Sequence, residues 1–342
     1  MEKPRKRRAS RTNRITLDDV ARHVGVSAIT VSRALRSPQK VAPALRDQIL
    51  EAAQTLGYVP NHAASALASA RSMNIAVLIP SLTNMLFVDM IGGIEDILNP
   101  HGYQILIGTT RYAPEEEERL LRAYLGFTPD GLLITGLDHS AGTWELLRGY
   151  NQPIVHLMDM GKDTDSYTVG FSQQEAGATL TRHLLEKGYR RIGFVAVQLD
   201  PRTLNRGEGY RQALRDAGCY DPRREIRVPT PSSIGLGAVL LDQMLAQAPD
   251  CDAIFFCNDD LAHGALFQCR ERGVRVPEDL AIVGFNDLSG SAWTLPPLTT
   301  IATPRREVGE EAARILLALL SDNPPQRRHL DLGYRLMARK SA

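Results

Sequence analysis

The stretch that decides how this chain is read is residues 16–35, TLDDVARHVGVSAITVSRAL. Thr16 stands just before an apolar-periodic run and Asp19 three positions later, so Thr16 can accept an orphan backbone N–H while the carboxylate suits the positive end of a helix. Leu17, Val20, Ala21 and Val24 recur at i, i+3, i+4 and i+7, the signature of one buried helical face. Gly25 then supplies a tight turn. Ser27 is placed to cap a second helix, Ala28 to Leu35, which buries Val31 and Leu35 and leaves Ile29, Thr30, Ser32 and Arg33 pointing outward. A third helix follows Pro43, turns Leu45, Ile49, Ala53 and Leu56 inward and stops at Gly57. Two short helices around a glycine turn, backed by a third, form a helix-turn-helix whose second helix suits the major groove of DNA.

Charge points the same way. The chain of 342 residues has a net charge of only +1, but residues 1–72 hold 13 Lys and Arg against 5 Asp and Glu, while the remainder holds 27 against 34. The basic end is where an anionic polymer would bind; a solvated basic tail is the alternative that charge alone leaves open. Asn61 begins an Ala-rich segment reaching Ala68, about two helical turns with an Asn cap, too short to be stable by itself.

The segments LDDVARHVGVSAITVSRAL, LGYVPN and NHAASALA resemble, in that order, the lactose-repressor family of transcription regulators. The resemblance implies that Ala28 and Ile29 face base edges, with Thr30, Ser32 and Arg33 close to bases and phosphates and the caps Thr16 and Ser27 beside them. It implies also that residues 61–72 are a hinge helix and linker, that Asn61 and Ala64 belong to its DNA-facing part, and that Leu67 wedges between central base steps in the minor groove. Leu67 packing on its own domain is the alternative. Ala28 and Ile29 carry no side-chain donor or acceptor, so they discriminate only by apolar contact, as with thymine methyls. Arg33 is suited to guanine, or else to phosphate. Ala42 stands where the family usually has Ser, which weakens one cap.

Beyond residue 73 apolar strands alternate with amphipathic stretches. NIAVLI, YQILIGT, GLLIT, PIVHLM, TVGF, RIGFVAV, AIFFC and LAIVGF are strand candidates, with helical patterns near residues 87–101, 115–125, 173–186, 206–217, 235–247 and 261–272. This alternation implies an α/β fold with parallel sheets covered on both faces. The family resemblance implies a periplasmic-binding-protein-like domain of two Rossmann-like lobes crossed three times by the chain. We place the crossings near Phe171, Thr303 and Asn323. The expected organisation is a headpiece at 1–60, a hinge at 61–72 and an effector-binding and dimerisation domain at 73–342. Its N-lobe is about 73–171 and 303–323, its C-lobe about 172–302 and 324–342.

Ligands of α/β sheets sit at the carboxyl ends of the strands. That rule selects Ser81, Thr83 and Asn84 after the first strand, with Phe87 following, and Asp159 after PIVHLM. It selects Arg202 and Arg206 after RIGFVAV, Asn258 and Asp259 after AIFFC and Asn286 and Asp287 after LAIVGF. By resemblance Arg206 is the family's cleft arginine. Asn286 stands where the family often has Asp; an amide keeps the hydrogen bonds and drops a charge that would repel an anion. Arg206 with Arg202 then clamps a carboxylate, unless Arg202 is a surface residue. The segments PSLTNMLF, DGLLIT, LDPRT and NDDLAHGA resemble the family's gluconate-utilisation branch, which implies gluconate or a related sugar acid as effector, with 6-phosphogluconate, 2-ketogluconate or a neutral sugar as alternatives.

The sequence speaks against other classes. No GxSxG, P-loop, HExxH or dinucleotide fingerprint is present, so no enzyme is expected. Cys219, Cys251, Cys257 and Cys269 form no CxxC pair and, with His263, no zinc spacing; we expect neither disulfide nor metal, and no cofactor. No apolar run is long enough to span a membrane and the basic start lacks a secretory core, so a cytoplasmic protein is expected. One headpiece reads half a palindrome, which implies a homodimer on double-stranded operator DNA; no leucine heptad near the end suggests a tetramer. Effector-driven release from the operator is the expected switch, with corepression as its alternative.

Overall fold

A computed structural model describes residues 15–59, 71–161 and 166–342. The chain divides into two compact units, residues 1–72 and 73–342. In the first, α1 (Leu17–Val24), α2 (Ala28–Arg36) and α3 (Pro43–Thr55) pack around Val20, Val31, Ala34 and Ile49, all essentially solvent-free. Leu17, Val24, Leu35, Leu45 and Leu56 close the rim of this small core. Gly25 adopts φ +77°, a left-handed value that ends α1 and aims the chain into α2. The residues Asn61, Ala64 and Leu67, and the hinge helix expected there, lie outside the described residues.

The second unit contains two parallel sheets. The first orders β11 (His329–Asp331), β5 (Tyr167–Gly170), β4 (Ile154–Leu157), β3 (Gly131–Thr135), β1 (Asn74–Ile79) and β2 (Gln104–Thr109). The second orders β7 (Glu225–Val228), β6 (Ile192–Val197), β8 (Ala253–Phe256) and β9 (Ala281–Val283). β3, β6 and β8 are buried along their whole length, as strands covered on both faces must be. β10 (Thr300–Ala302) and β12 (Arg335–Met337) form an antiparallel ribbon.

Helices cover both sheets: α4 (Met85–Leu98), α5 (Pro114–Leu125), α6 (Ala141–Gly149) and α11 (Arg305–Leu320) accompany the first sheet, and α7 (Gln173–Glu186), α8 (Pro201–Asp216), α9 (Ile234–Gln247) and α10 (Asp259–Arg272) the second. Three pairs of them, α4 with α11, α7 with α8 and α9 with α10, meet backbone to backbone. Each seam has a glycine from both partners: Gly93 and Gly309, Gly177 and Gly209, Gly237 and Gly264. A Cβ on any of the six would strike a main-chain oxygen of the facing helix.

Two expectations change. The third crossing was expected around Asn323, yet the chain continues in the first sheet, where β11 pairs in parallel with Thr168–Gly170. Leu332 N–H still donates to Gly170 O, whereas Tyr334 Oη lies 2.8 Å from Thr179 Oγ1 on α7, so the chain crosses at Gly333, in a left-handed φ of +66°. The N-lobe thus runs past residue 323 because a three-residue strand completes its sheet edge. The second change is α11, absent from the sequence reading although Val308, Ala312, Ile315 and Leu316 recur at helical spacing and are buried.

Candidate DNA-binding and effector sites

In the first unit the start of α1 is tied by Asp19, whose Oδ2 accepts from Thr16 N–H at 2.9 Å and from Thr16 Oγ1 at 2.7 Å. Those two bonds, ahead of one from Arg22, hold the Asp19 carboxyl below its ordinary pKa. The Thr16 hydroxyl therefore donates within the cap. Ser27 Oγ accepts from Thr30 N–H at 3.2 Å and lies 2.9 Å from Thr30 Oγ1, fixing the first turn of α2. Ile29 is 70% exposed and Arg33, one helical turn on, is also exposed. Ile29 and Arg33, four residues apart, thus share one exposed face of α2. Ala28 and Ser32, partly buried, flank that stripe.

In the second unit the strand ends converge on a narrow polar cavity of about 40 Å³. Asn84, Phe87 and Tyr112 line it from the N-lobe, and Arg202, Arg206, Asn258 and Asn286 from the C-lobe. Asp200, Gln198 and Thr203 complete its polar surface. Asn84 Oδ1 caps α4 by accepting from Leu86 N–H at 3.1 Å. Asn258 Oδ1 caps α10 and accepts from Ser232 Oγ, both at 3.1 Å. Caps make these side chains stiff, because each must keep its backbone bond to hold its helix.

The two arginines differ. Arg206 is 5% exposed, donates from Nε to Gln173 Oε1 at 2.8 Å and from Nη1 to Cys257 O at 2.7 Å, and stacks 4.0 Å over the Phe285 ring. Its seat exists because Gly177 and Gly209 let α7 and α8 touch at Arg206 itself. Burial pulls its pKa down. Arg202 is 7% exposed, with Nε 3.4 Å from Asp200 and a buried Nη1 that has no partner. Burial opposes its charge, but Asp200, Asp138, Tyr112 and Asp159 outweigh burial and hold its pKa above the ordinary value. The second orphan in the cavity is Asn286 Oδ1, on a residue 2% exposed with φ +113°.

Behind Asn286 lies Asp259, whose buried carboxylate accepts from Leu288 N–H, Ser291 Oγ and Thr300 Oγ1, each at 2.7 Å. Desolvation raises its pKa, opposed by these three bonds. The loop after β9 is thereby fastened to the start of α10.

Among the expected residues, Asn84, Phe87, Arg202, Arg206, Asn258 and Asn286 come together in the cavity. Ser81 and Thr83 lie instead in an adjoining groove with Gln198, Ser232 and Asp260, and bond to each other at 2.9 Å. Asp159 stays off the lining, its Oδ1 accepting from Met160 N–H at 2.9 Å while Met158 faces the cavity. Tyr112 and Asp200 escaped the sequence reading. Tyr112, in a left-handed φ of +58°, has its phenol pushed up to about 12 by burial, with Asp200 adding to the effect. Asp200, the cap of α8, accepts from Arg202 N–H at 2.9 Å; the Asp-Pro pair opening a helix was the available signal. Cys251, Cys257 and Cys269 are buried, Cys219 is half-buried, and all four are free thiols.

A helix-turn-helix unit followed by a two-lobed α/β domain with a polar cleft defines a ligand-responsive, DNA-binding transcription regulator. Residues 16–61 match the family described as bacterial regulatory proteins, lacI family, and residues 181–342 the periplasmic binding protein-like domain. The chain is 49% identical over 330 residues to the HTH-type transcriptional regulator GntR of Pseudomonas aeruginosa, covering 96% of both chains. The crystal structure of the transcription regulator GntR from Chromobacterium violaceum is 52% identical, with a TM-score of 0.77, and covers 78% of this chain and 98% of that one. The lac repressor dimer bound to operator and the anti-inducer ONPF is 26% identical with a TM-score of 0.85, covering 96% of this chain and 99% of that one. This chain belongs to the LacI family of transcription regulators, and it is a regulator rather than an enzyme. Among the described residues no helix is long and apolar enough to cross a membrane.

Proposed function

We propose that the protein is a cytoplasmic repressor of sugar-acid catabolism genes, bound as a homodimer to a palindromic operator and released from it by gluconate or a closely related hydroxy acid. One observation carries the choice of ligand: a single cavity contains a buried cationic donor without an acceptor, Arg202 Nη1, and a buried amide oxygen without a donor, Asn286 Oδ1. Leaving either unpaired is costly, about 1 to 3 kcal/mol for a neutral group and more for a charge. A ligand with a carboxylate at one end and hydroxyls along its length satisfies both. Arg206, with two of its nitrogens engaged, braces the site more than it clamps.

Ala28, Ile29, Thr30, Ser32 and Arg33 are read as the operator-facing side of α2, with Thr16 and Ser27 near the backbone. The exposure of Ile29 supports this. Effector must bind the low-affinity conformation better than the operator-bound one, since equal affinity shifts nothing. A neutral polyol is the second reading, favoured by the carboxylates of Asp200, Asp138 and Asp159 around Arg202.

The test is calorimetry on the full chain with gluconate, 6-phosphogluconate, 2-ketogluconate and ribose, alongside anisotropy of a fluorescent operator. We expect one sugar acid to bind and to release the operator, and Arg202→Gln to weaken that acid at least tenfold with DNA binding unchanged, the scale of a charged hydrogen bond. Binding by ribose alone, or an Arg202→Gln protein that still binds gluconate fully, would overturn the sugar-acid reading. Tighter operator binding with ligand would overturn release.

A further inference from the structure

Arg305 opens α11, the helix omitted from the sequence reading, and it touches both walls of the effector cavity. Its Nε donates to Asp89 Oδ2 at 3.0 Å, on α4, the helix whose first turn lines the cavity with Asn84 and Phe87. Its Nη1 donates to the main-chain oxygen of Asn286, and both Nη1 and Nη2 lie 3.3 Å from Asp287 O. Asn286 belongs to the opposite wall and Asp287 follows it, and both have left-handed φ values, +113° and +52°. Such conformations are strained in non-glycine residues and persist only where the surroundings impose them. Here the imposing groups are identifiable: Asn286 N–H is held by Ile301 O at 2.9 Å, Leu288 N–H by Asp259 at 2.7 Å, Asp287 by Arg339 at 2.7 Å, and the two carbonyls between them by Arg305.

We propose that Arg305 is a positioning residue that straps the two walls of the effector cavity together, presenting the Asn286 side chain to the ligand from a foothold on Asp89. A planar guanidinium with donors on both edges can serve a carboxylate on one side and two carbonyls on the other; an ammonium cannot. The strap makes the walls interdependent. Any ligand-driven movement between them must either carry Arg305 along or break its bonds on one side, so occupancy of the cavity is transmitted into α11 and α4. The ligand part of this inference rests on the sugar-acid reading; the strap itself does not.

The neighbouring residue supplies the control. Arg306 also pairs α11 with α4, through Asp96, but is half-exposed and does not reach the loop after β9. Hydrogen exchange on the full chain, without ligand, reads the amides of residues 286–288 in Arg305→Gln, Asp89→Asn and Arg306→Gln. We expect exchange there to rise by about tenfold in Arg305→Gln, the scale of one charge-assisted hydrogen bond, and measurably in Asp89→Asn. Arg306→Gln should leave it unchanged. Gluconate affinity should fall in the first variant and hold in the third. Should Arg305→Gln misfold, Asp89→Asn decides alone, because that carboxylate is 42% exposed and replaceable without a cavity. Unchanged exchange in the Arg305 and Asp89 variants, or an equal rise in Arg306→Gln, overturns the strap. A wild-type protein that exchanges as expected but ignores gluconate overturns the effector reading instead.

Discussion

Gly177→Ala tests whether the geometry of the effector site is set by the seam between α7 and α8. A Cβ at Gly177 would lie 3.0 Å from both the carbonyl carbon and Cα of Arg206, and closer still to its oxygen. Ordinary contact between heavy atoms begins near 3.5 Å, and main-chain atoms cannot swing aside, so the helices must part by roughly 1 Å. The bond from Arg206 Nε to Gln173 Oε1, 2.8 Å long and spanning the same seam, would open to about 3.8 Å, beyond hydrogen-bonding range. Overpacking of this kind costs about 1 to 3 kcal/mol, and a lost charged bond adds about 1.5 to 3. We expect urea unfolding of the full chain to show about 2.5 to 6 kcal/mol less stability and effector affinity to fall at least tenfold, while operator binding by the headpiece persists. Gly235→Ala, where an added Cβ meets nothing within 4 Å, should be neutral or slightly stabilising. A Gly177→Ala protein within about 0.5 kcal/mol of wild type, with full effector affinity, would refute the argument that backbone contact positions Arg206.

Two further outcomes are expected. Arg33→Ala should weaken operator binding by about 1 to 3 kcal/mol and relax preference at one base pair, as judged by anisotropy against a set of single-base operator variants; uniform weakening with a salt slope smaller by about 1 would assign Arg33 to phosphate. Burial, reinforced by His139, depresses His156 to about 4 from the ordinary 6.5. The unfolded chain then takes up its proton first, so the stability from keeping this ring neutral is complete above pH 6.5 and is lost as pH falls toward 4. By pH 4.5 the loss is about 2 to 3 kcal/mol, and a His156→Asn variant compared by urea titration at pH 7 and 4.5 should lack that part of the acid limb; an identical limb would contradict it.

The headpiece was legible because its code is local. Periodicity, a cap and one glycine specify helices within 25 residues, and Val20, Val31 and Ile49 are buried as their spacing implied. The cavity was legible at one remove: parallel strands present their carboxyl ends to a cleft, so Arg206, Asn258 and Asn286 could be picked out by position. What escaped depends on distant partners. β10, β11 and β12 have three residues each, too short for any pattern, and exist because Thr300 finds Met337 and His329 finds Thr168. Asp159 fulfilled the positional rule yet turned to the backbone N–H of Met160. Arg305 was invisible because two of its three partners are main-chain carbonyls, which no side-chain motif encodes.

The six seam glycines have a consequence for how this scaffold diversifies. They bond α4 to α11, α7 to α8 and α9 to α10 as stiff double beams, while the ligand-facing residues other than Arg206, which sits on the α7–α8 seam, lie on beam ends and connecting loops. Taste for a new metabolite can therefore be acquired by exchanging side chains at the tips, with the beams left alone. In a library covering every position, the seams should tolerate almost nothing, and the tips should yield folded proteins with altered appetites.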